Sequence, residues 1–242
     1  MTDRFPRSLS LIIPVYREGS EVYQVLAGLF AYLQHHFDDF EIIVALDGQD
    51  SETCVAVDKF ATKSENVRVN QSSKRRGKGG AILDAFSVAR CSLVAISDAD
   101  TSAHPSQIGK LVQSLLLHKA DAAIGSRYIK GSRRTVPITR LILSRFFNVI
   151  VRGFTGLNIN DTQCGLKVVS SKFIPSLVNY LNESGWAFDV QMLFIMKSLG
   201  AKIVEVPIDW IYAEGSRMQL SKDVPRMFLS VARARYLNQP NN

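Results

Sequence analysis

Five short apolar runs, at residues 9–15, 40–46, 67–69, 93–97 and 122–125, alternate with four stretches whose apolar residues recur at helical spacing. No other feature constrains the fold as strongly. Short apolar runs bounded by turn residues read as buried strands. Val22, Val25, Leu26, Leu29, Phe30 and Leu33 mark one face of a helix, with Ser20 as its expected N-cap. Further helices are predicted over about 52–62, 81–89 and 106–117, the last presenting Ile108, Leu111, Val112 and Leu115 on one side. Such an alternation describes an α/β fold, a mostly parallel sheet with helices on both faces. A chain of 242 residues, 46% of them hydrophobic, can bury one sizeable core, so a single domain over 1–242 is expected.

Ligands of such sheets bind beyond the carboxyl ends of the strands. Three polar features fall there: Asp47-Gly48, the basic glycine loop 75–80, and Asp98-Ala99-Asp100. Two carboxylates one residue apart at a strand end suit a hard divalent cation, and that cation suits a diphosphate. The plainer role for Asp98 and Asp100 is capping of the following loop and helix. The glycine loop lacks P-loop spacing. Its glycines permit close backbone approach, the helix start behind it favours anions, and Lys78 is placed to touch a nucleotide. A solvated basic turn is the plainer reading of Arg75 and Arg76. His104 is a further metal-ligand candidate, although a histidine beside a proline in a loop is more simply solvated. His35 and His36 fall at a helix end and are expected to face solvent.

After residue 125 the pattern changes. A basic helical stretch is predicted over about 138–154, a helix over 189–199, short strands over 202–206 and 208–212, and a last amphipathic helix over 222–237 carrying Arg226, Arg233 and Arg235. The chain thus divides at about 8–125, 126–220 and 221–242. A net charge of +7 and a pI near 9.4 suit anionic partners but do not choose among them. No stretch offers the roughly 20 apolar residues that span a bilayer; the nearest, 141–157, is broken by Arg145 and Arg152. It and the last helix fit interfacial helices with arginines toward lipid phosphates, or core helices with a solvated basic face. Three scattered cysteines, Cys54, Cys91 and Cys164, lack metal spacing and read as reduced thiols of an intracellular protein with no signal peptide.

Ile13-Pro14-Val15-Tyr16-Arg17-Glu18, the strand ending at Asp47-Gly48, Gly77-Lys78-Gly79 and Asp98-Ala99-Asp100 together resemble the family-two glycosyltransferases, which have the GT-A nucleotide-sugar fold. Gly125-Ser126-Arg127-Tyr128, the run from Asp161 to Lys167, Gly185-Trp186-Ala187-Phe188-Asp189 and Glu205-Val206-Pro207-Ile208 narrow the resemblance to polyprenyl-phosphate (dolichyl-phosphate) sugar synthases, closer to the glucosyl than the mannosyl branch. The resemblance implies roles. Pro14, Tyr16, Glu18 and Asp47 would line the base and ribose pocket, and Asp98 and Asp100 would hold Mg²⁺ or Mn²⁺ under the donor diphosphate beside Ala99 and Lys78. Arg127 and Arg140 would grip the acceptor phosphate, Asp161 and Asp189 would stand near the reacting sugar, and Arg217 would face the diphosphate. Two departures stand out: Leu46 replaces the first of two adjacent aspartates, which bears on base selectivity, and Gln191 replaces a glutamate, which bears on the donor sugar.

The expected activity is inverting, metal-dependent transfer of a hexose from a nucleotide sugar, UDP-glucose first, to polyprenyl phosphate. GDP-mannose or an N-acetylhexosamine donor are the alternatives within the fold. A sugar-1-phosphate nucleotidyltransferase would need a glycine-rich loop near the first strand, and residues 14–19 do not supply one. A non-catalytic basic module would have no need of Asp98 and Asp100. The expected partners are the donor, the lipid acceptor, a membrane surface and a membrane-anchoring partner protein, with no nucleic acid. The expected location is the cytoplasm, peripheral on the cytosolic face of a membrane.

Overall fold

The computed structural model describes residues 5, 7–100, 102–135, 138–185 and 187–211, with the side chains of 138–143 outside that description. The strands are β1 (Leu9–Val15), β2 (Phe40–Asp47), β3 (Val67–Ser72), β4 (Leu93–Ile96), β5 (Ala122–Ser126), β6 (Arg133–Thr135), β7 (Lys167–Ser170), β8 (Ile203–Pro207) and β9 (Asp209–Ile211). Seven form one sheet in the order β3-β2-β1-β4-β7-β5-β8, and β6 and β9 make a small parallel pair. The helices are α1 (Val22–His36), α2 (Ser51–Ala61), α3 (Gly77–Phe86), α4 (Ser106–Leu117), α5 (Ile138–Thr155), α6 (Ile174–Tyr180) and α7 (Phe188–Ser198). The mostly parallel α/β sheet expected from the sequence is the one observed.

Period-two alternation builds the two layers. Leu9, Leu11, Ile13 and Val15 of β1 pack with Ile42, Val44 and Leu46 of β2 against α1, α2 and α4. Ile12, Ile43 and Ala45 point the other way, into a cluster with α3, α5, α6 and α7. Full burial of each such aliphatic side chain contributes about 1.5–3 kcal/mol, so a one-residue register slip would invert both layers.

Three expectations are corrected. Ser20 does not cap α1; a 3-10 turn over Gly19–Glu21 precedes the helix, and the Gly19 and Ser20 N–H groups donate to Thr53 Oγ1 and Glu52 Oε1 of α2. The glycine run is not a loop ahead of a helix starting at Ala81: Gly77, Gly79 and Gly80 are the first turn of α3. The third correction is β7, a strand beyond those expected from the sequence. It lies antiparallel between β4 and β5, with Lys167 opposite both Ile96 and Ile124.

That insertion positions the site. β1, β2 and β4 are mutually parallel, and β5, antiparallel to β7 as β4 is, runs the same way. Their carboxyl ends share one edge, where β7 begins. The segments after β1, β2, β4 and β5 and before β7 therefore meet.

Candidate active site

At the end of β2, Asp47 is buried and accepts from the Arg76 and Gly77 N–H groups at 2.5 and 2.9 Å. One residue on, Lys78 Nζ donates to Asp98 Oδ1 at 2.7 Å. Three consecutive residues thus tie the ends of β2 and β4 together. Tyr16, after β1, lies beside Gly48, and the Arg75 guanidinium sits 4.4 Å from its ring centroid. Pro14 is half-buried within β1, and Glu18 is half-buried two residues after Tyr16.

The start of α3 differs from the anion cradle expected of it. Asp47 already takes the Arg76 and Gly77 N–H groups, and the Gly79 and Gly80 N–H groups donate to the Ser184 carbonyl at 2.9 and 3.4 Å. The glycines serve close packing instead. A Cβ on Gly77, whose φ is +78°, would stand 2.5 Å from Ser184 O, and one on Gly79 would stand 2.5 Å from Glu183 O. Residues 182–185 are fastened in turn by Gln191. Its Oε1 accepts from the Asn182 and Glu183 N–H groups, and its Nε2 donates to Asn182 Oδ1. Gln191 is therefore committed to this loop, and a glutamate could not make its third bond.

Asp98 packs against the turn before β7 so closely that a Cβ on Gly165 would fall 1.9 Å from its Oδ2. Burial works to raise the Asp98 pKa, but Lys78, aided by the charges of Lys167 and Arg127, holds it below the usual carboxylate range. Asp100 goes the other way: burial and then the Asp98 charge push it up, although the Ser102 N–H donates to it at 2.9 Å. Ala99 is buried between them. His104 bonds Ser106 and joins no cluster; among the described residues, no three of His, Cys, Asp and Glu are grouped to hold a metal ion.

A second charged group follows β5. Arg127 holds Asp161 bidentately, Nε to Oδ2 at 2.7 Å and Nη2 to Oδ1 at 2.8 Å, and its own N–H adds a third bond at 3.0 Å. Burial opposes the Arg127 charge, yet Asp161 raises its pKa above the ordinary value. Arg127, Arg134 and Arg145 all lie 5.3–5.6 Å from the Tyr128 ring centroid, whose hydroxyl meets Ser144 Oγ at 2.6 Å. Deeper in, Lys167 Nζ donates to Asp189 Oδ1 at 2.7 Å and to the Cys164 carbonyl, with both side chains almost wholly buried. Burial, then Asp161, pushes the Cys164 thiol up to about 12.

The predicted residues Asp47, Lys78, Asp98, Asp100, Arg127, Asp161 and Asp189 thus converge on one edge. Arg140 lies in α5 with its side chain outside the description, and Trp186, Arg217 and the helix predicted over 222–237 lie outside the described residues. Sequence reasoning assigned no role to Lys167, Glu205, Asn148 or Arg134, and did not connect Arg127 and Arg145 through Tyr128. Asn148 had a signal: it is a polar residue on the α5 face that buries Phe147 and Val151.

Comparison with known proteins follows the same outline. Residues 10–177 match the family model described as glycosyl transferase family 2. The chain is 30% identical over 227 residues to Glycosyltransferase AglD of Haloferax volcanii, covering 93% of this chain but only 36% of that protein. It is 30% identical over 250 residues to a dolichyl-phosphate beta-glucosyltransferase of Saccharomyces cerevisiae, covering 95% of this chain and 75% of that one. Its fold is that of glucosyl-3-phosphoglycerate synthase from Mycobacterium tuberculosis, solved with Mn²⁺ and UDP-glucose (TM-score 0.68, 15% identity, 95% of this chain and 79% of that one). The family match runs from β1 into α6 and takes in the carboxylate pair and the Arg127–Asp161 pair alike, and on that footing the chain belongs to glycosyl transferase family 2.

Proposed function

We propose that the protein transfers glucose from UDP-glucose to a polyprenyl phosphate with inversion, assisted by Mg²⁺ or Mn²⁺. One observation carries this reading: a pair of half-buried carboxylates after β4 and a cluster of arginines after β5 lie at the same edge of the sheet. The first group suits the donor diphosphate and the second an acceptor phosphate. The likeness to dolichyl-phosphate glucosyltransferases supports the acceptor and the sugar, and the synthase solved with Mn²⁺ and UDP-glucose supports the donor.

Asp98 and Asp100 fit a divalent cation. Both are hard oxygen donors, and a cation would relieve the Asp98 charge that adds to burial in raising Asp100. When bound, the ion supplies Lewis-acid stabilisation of the charge left on the departing diphosphate. Lys78 serves the same charge from the protein side, and residues 8–125 form the nucleotide half, with Pro14, Tyr16, Glu18 and Asp47 around the base and ribose.

Residues 126–220 form the acceptor half. Guanidinium is the better planar clamp for phosphate, and Arg134 and Arg145 join Arg127 and Arg140 in that role. A phosphate monoester is about doubly charged near neutral pH, with its second pKa near ~6. One of its oxygens forms the new bond to the anomeric carbon as the bond to the UDP oxygen breaks, and no proton must be removed. Asp161 therefore orients: both of its oxygens are already engaged by Arg127. Catalysis rests on positioning and charge stabilisation.

The lipid acceptor places α5 at a membrane. Arg145, Phe146, Val149 and Phe154 are exposed on it, Phe146 and Val149 by 61% and 66%, and among the described residues no helix is long and apolar enough to cross a bilayer. The protein is then peripheral, on the cytosolic leaflet. It should co-sediment with anionic liposomes at low salt, and the double variant Phe146→Ser/Val149→Ser should lose most of that binding. Equal sedimentation of the two proteins would remove α5 from the interface, and no binding at all would reject direct attachment of this chain to the membrane.

The activity test supplies Mg²⁺ or Mn²⁺, a short polyprenyl phosphate, and labelled UDP-glucose or GDP-mannose in parallel. Label should enter the organic phase from UDP-glucose and stop with EDTA. Transfer from GDP-mannose alone would replace the donor, and no lipid product from either would reject the reading.

A further inference from the structure

Asp161 lies in the irregular segment between α5 and β7, where no neighbouring strand orders the backbone. Its peptide groups must find partners elsewhere, and two side chains supply them, one from α5 and one from β8. Asn148, on the buried face of α5, donates from Nδ2 to the carbonyls of Ile159 and Asn160 at 3.2 and 2.5 Å and accepts from Thr162 Oγ1 at 3.0 Å. Glu205, on β8, accepts the Asn160 N–H at 3.0 Å and the Asn160 side-chain amide at 2.8 Å on Oε2, and the Asp161 N–H at 3.1 Å on Oε1.

The carbonyl side of the loop is thus gripped by an amide and its N–H side by a carboxylate. Between the two grips, Asp161 is presented edge-on to Arg127. Ser144, one helical turn before Asn148, meets the Tyr128 hydroxyl, and the Arg127 guanidinium lies 5.6 Å from the Tyr128 ring centroid. We propose that Asn148 and Glu205 are positioning residues, which fix Asp161 against Arg127 and act on transfer only through that pair. This rests on the glycosyltransferase reading above and adds to it the parts that hold its reacting centre. It also makes α5 a two-sided element: Arg145, Phe146 and Val149 face outward while Asn148 sets the Asp161 loop from within.

Glu205→Gln is the discriminating variant. Both Glu205 oxygens accept N–H groups, so a glutamine must turn its own NH₂ toward a donor and lose one side of the grip. Its kcat should fall roughly tenfold, as expected for misplacement of a reacting group, while UDP affinity in the presence of Mn²⁺ stays within about twofold of wild type. In an Asp161→Asn background the same change should have no further effect on kcat, because residues acting through one group are non-additive. An equal loss in both backgrounds, or a parallel loss of UDP affinity, overturns the proposal. If Glu205→Gln fails to fold, Thr162→Val, which removes one hydroxyl from the Asn148 grip, enters the same comparison. Amide hydrogen exchange separates this proposal from the functional reading. If wild-type protein makes no lipid product, the functional reading fails, and positioning is decided by exchange. Residues 158–163 should then exchange faster in Glu205→Gln with the rest of the chain unchanged, and unaltered exchange there overturns it.

Discussion

Lys167→Met should cost about 3 kcal/mol of folding stability, seen as a fall in Tm of roughly 10 °C for a chain of this size. The Lys167 ammonium and the Asp189 carboxylate are 2.7 Å apart with side-chain exposures of 1% and 4%, so removing the cation strands a buried anion. Breaking such a pair typically costs about 3–5 kcal/mol. The low end is expected because Lys78 is within electrostatic reach of Asp189 and retains part of the compensation. The Cys164 carbonyl also loses its ammonium donor. The double variant Lys167→Met/Asp189→Leu removes both charges and should recover most of the lost stability, since a well-packed apolar pair can equal a buried ion pair. Thermal melts of the three proteins decide it. A single variant that melts within two or three degrees of wild type would show that the pair does not secure β7 to α7.

The same pair shows where the sequence was legible and where it was not. The first five strands and four helices could be read because their apolar residues keep period two or 3.6 and the turns between them are short. β7 could not. Its four residues begin with a lysine, and that lysine is tolerated inside the sheet only because Asp189, 22 residues later, neutralises it. No local pattern announces a pairing of that range. The glycines at 77, 79 and 80 misled for a related reason: low helix propensity favours a loop, but backbone from 182–185 packs where side chains would stand and selects glycine within a helix.

At the site, the residue types of the acid pair, the loop lysine and the arginines were readable from motifs, while their partners were not. Asp47 binds the start of α3, and Gln191 fastens the loop that packs on it. Asp47 meets residues 29 and 30 positions on, and the loop that Gln191 fastens packs on glycines of a different helix, so neither contact shows in a local pattern. Tyr128 gathers Arg127, Arg134 and Arg145 from a strand end, the small sheet and α5, which sequence spacing alone does not connect.

Asp98→Asn should lower glucosyl transfer by about a thousandfold or more, the rate equivalent of the several kcal/mol that a bound cation and its ligands contribute to a charged transition state. Asparagine keeps the size of the side chain, so the tight contact with Gly165 is preserved and the change is one of charge. Its effect is threefold. The proposed cation site loses one of two carboxylates, Lys78 loses its 2.7 Å partner, and the Asp98 charge that adds to burial in raising Asp100 disappears. That last change favours ionised Asp100, yet one carboxylate does not replace two in holding a divalent ion against water. Mn²⁺ should therefore no longer strengthen UDP binding in the variant, while metal-free UDP binding, which the proposed site assigns to Tyr16 and the β1–β2 edge, changes little. Calorimetric titration of UDP with and without Mn²⁺, run beside the transfer assay, separates these effects. Retention of more than about a tenth of wild-type transfer, a cost under ~1.4 kcal/mol, would show that Asp98 organises the fold around Gly165 without carrying the diphosphate charge. Loss of transfer together with the Mn²⁺ enhancement would assign both to the same carboxylate.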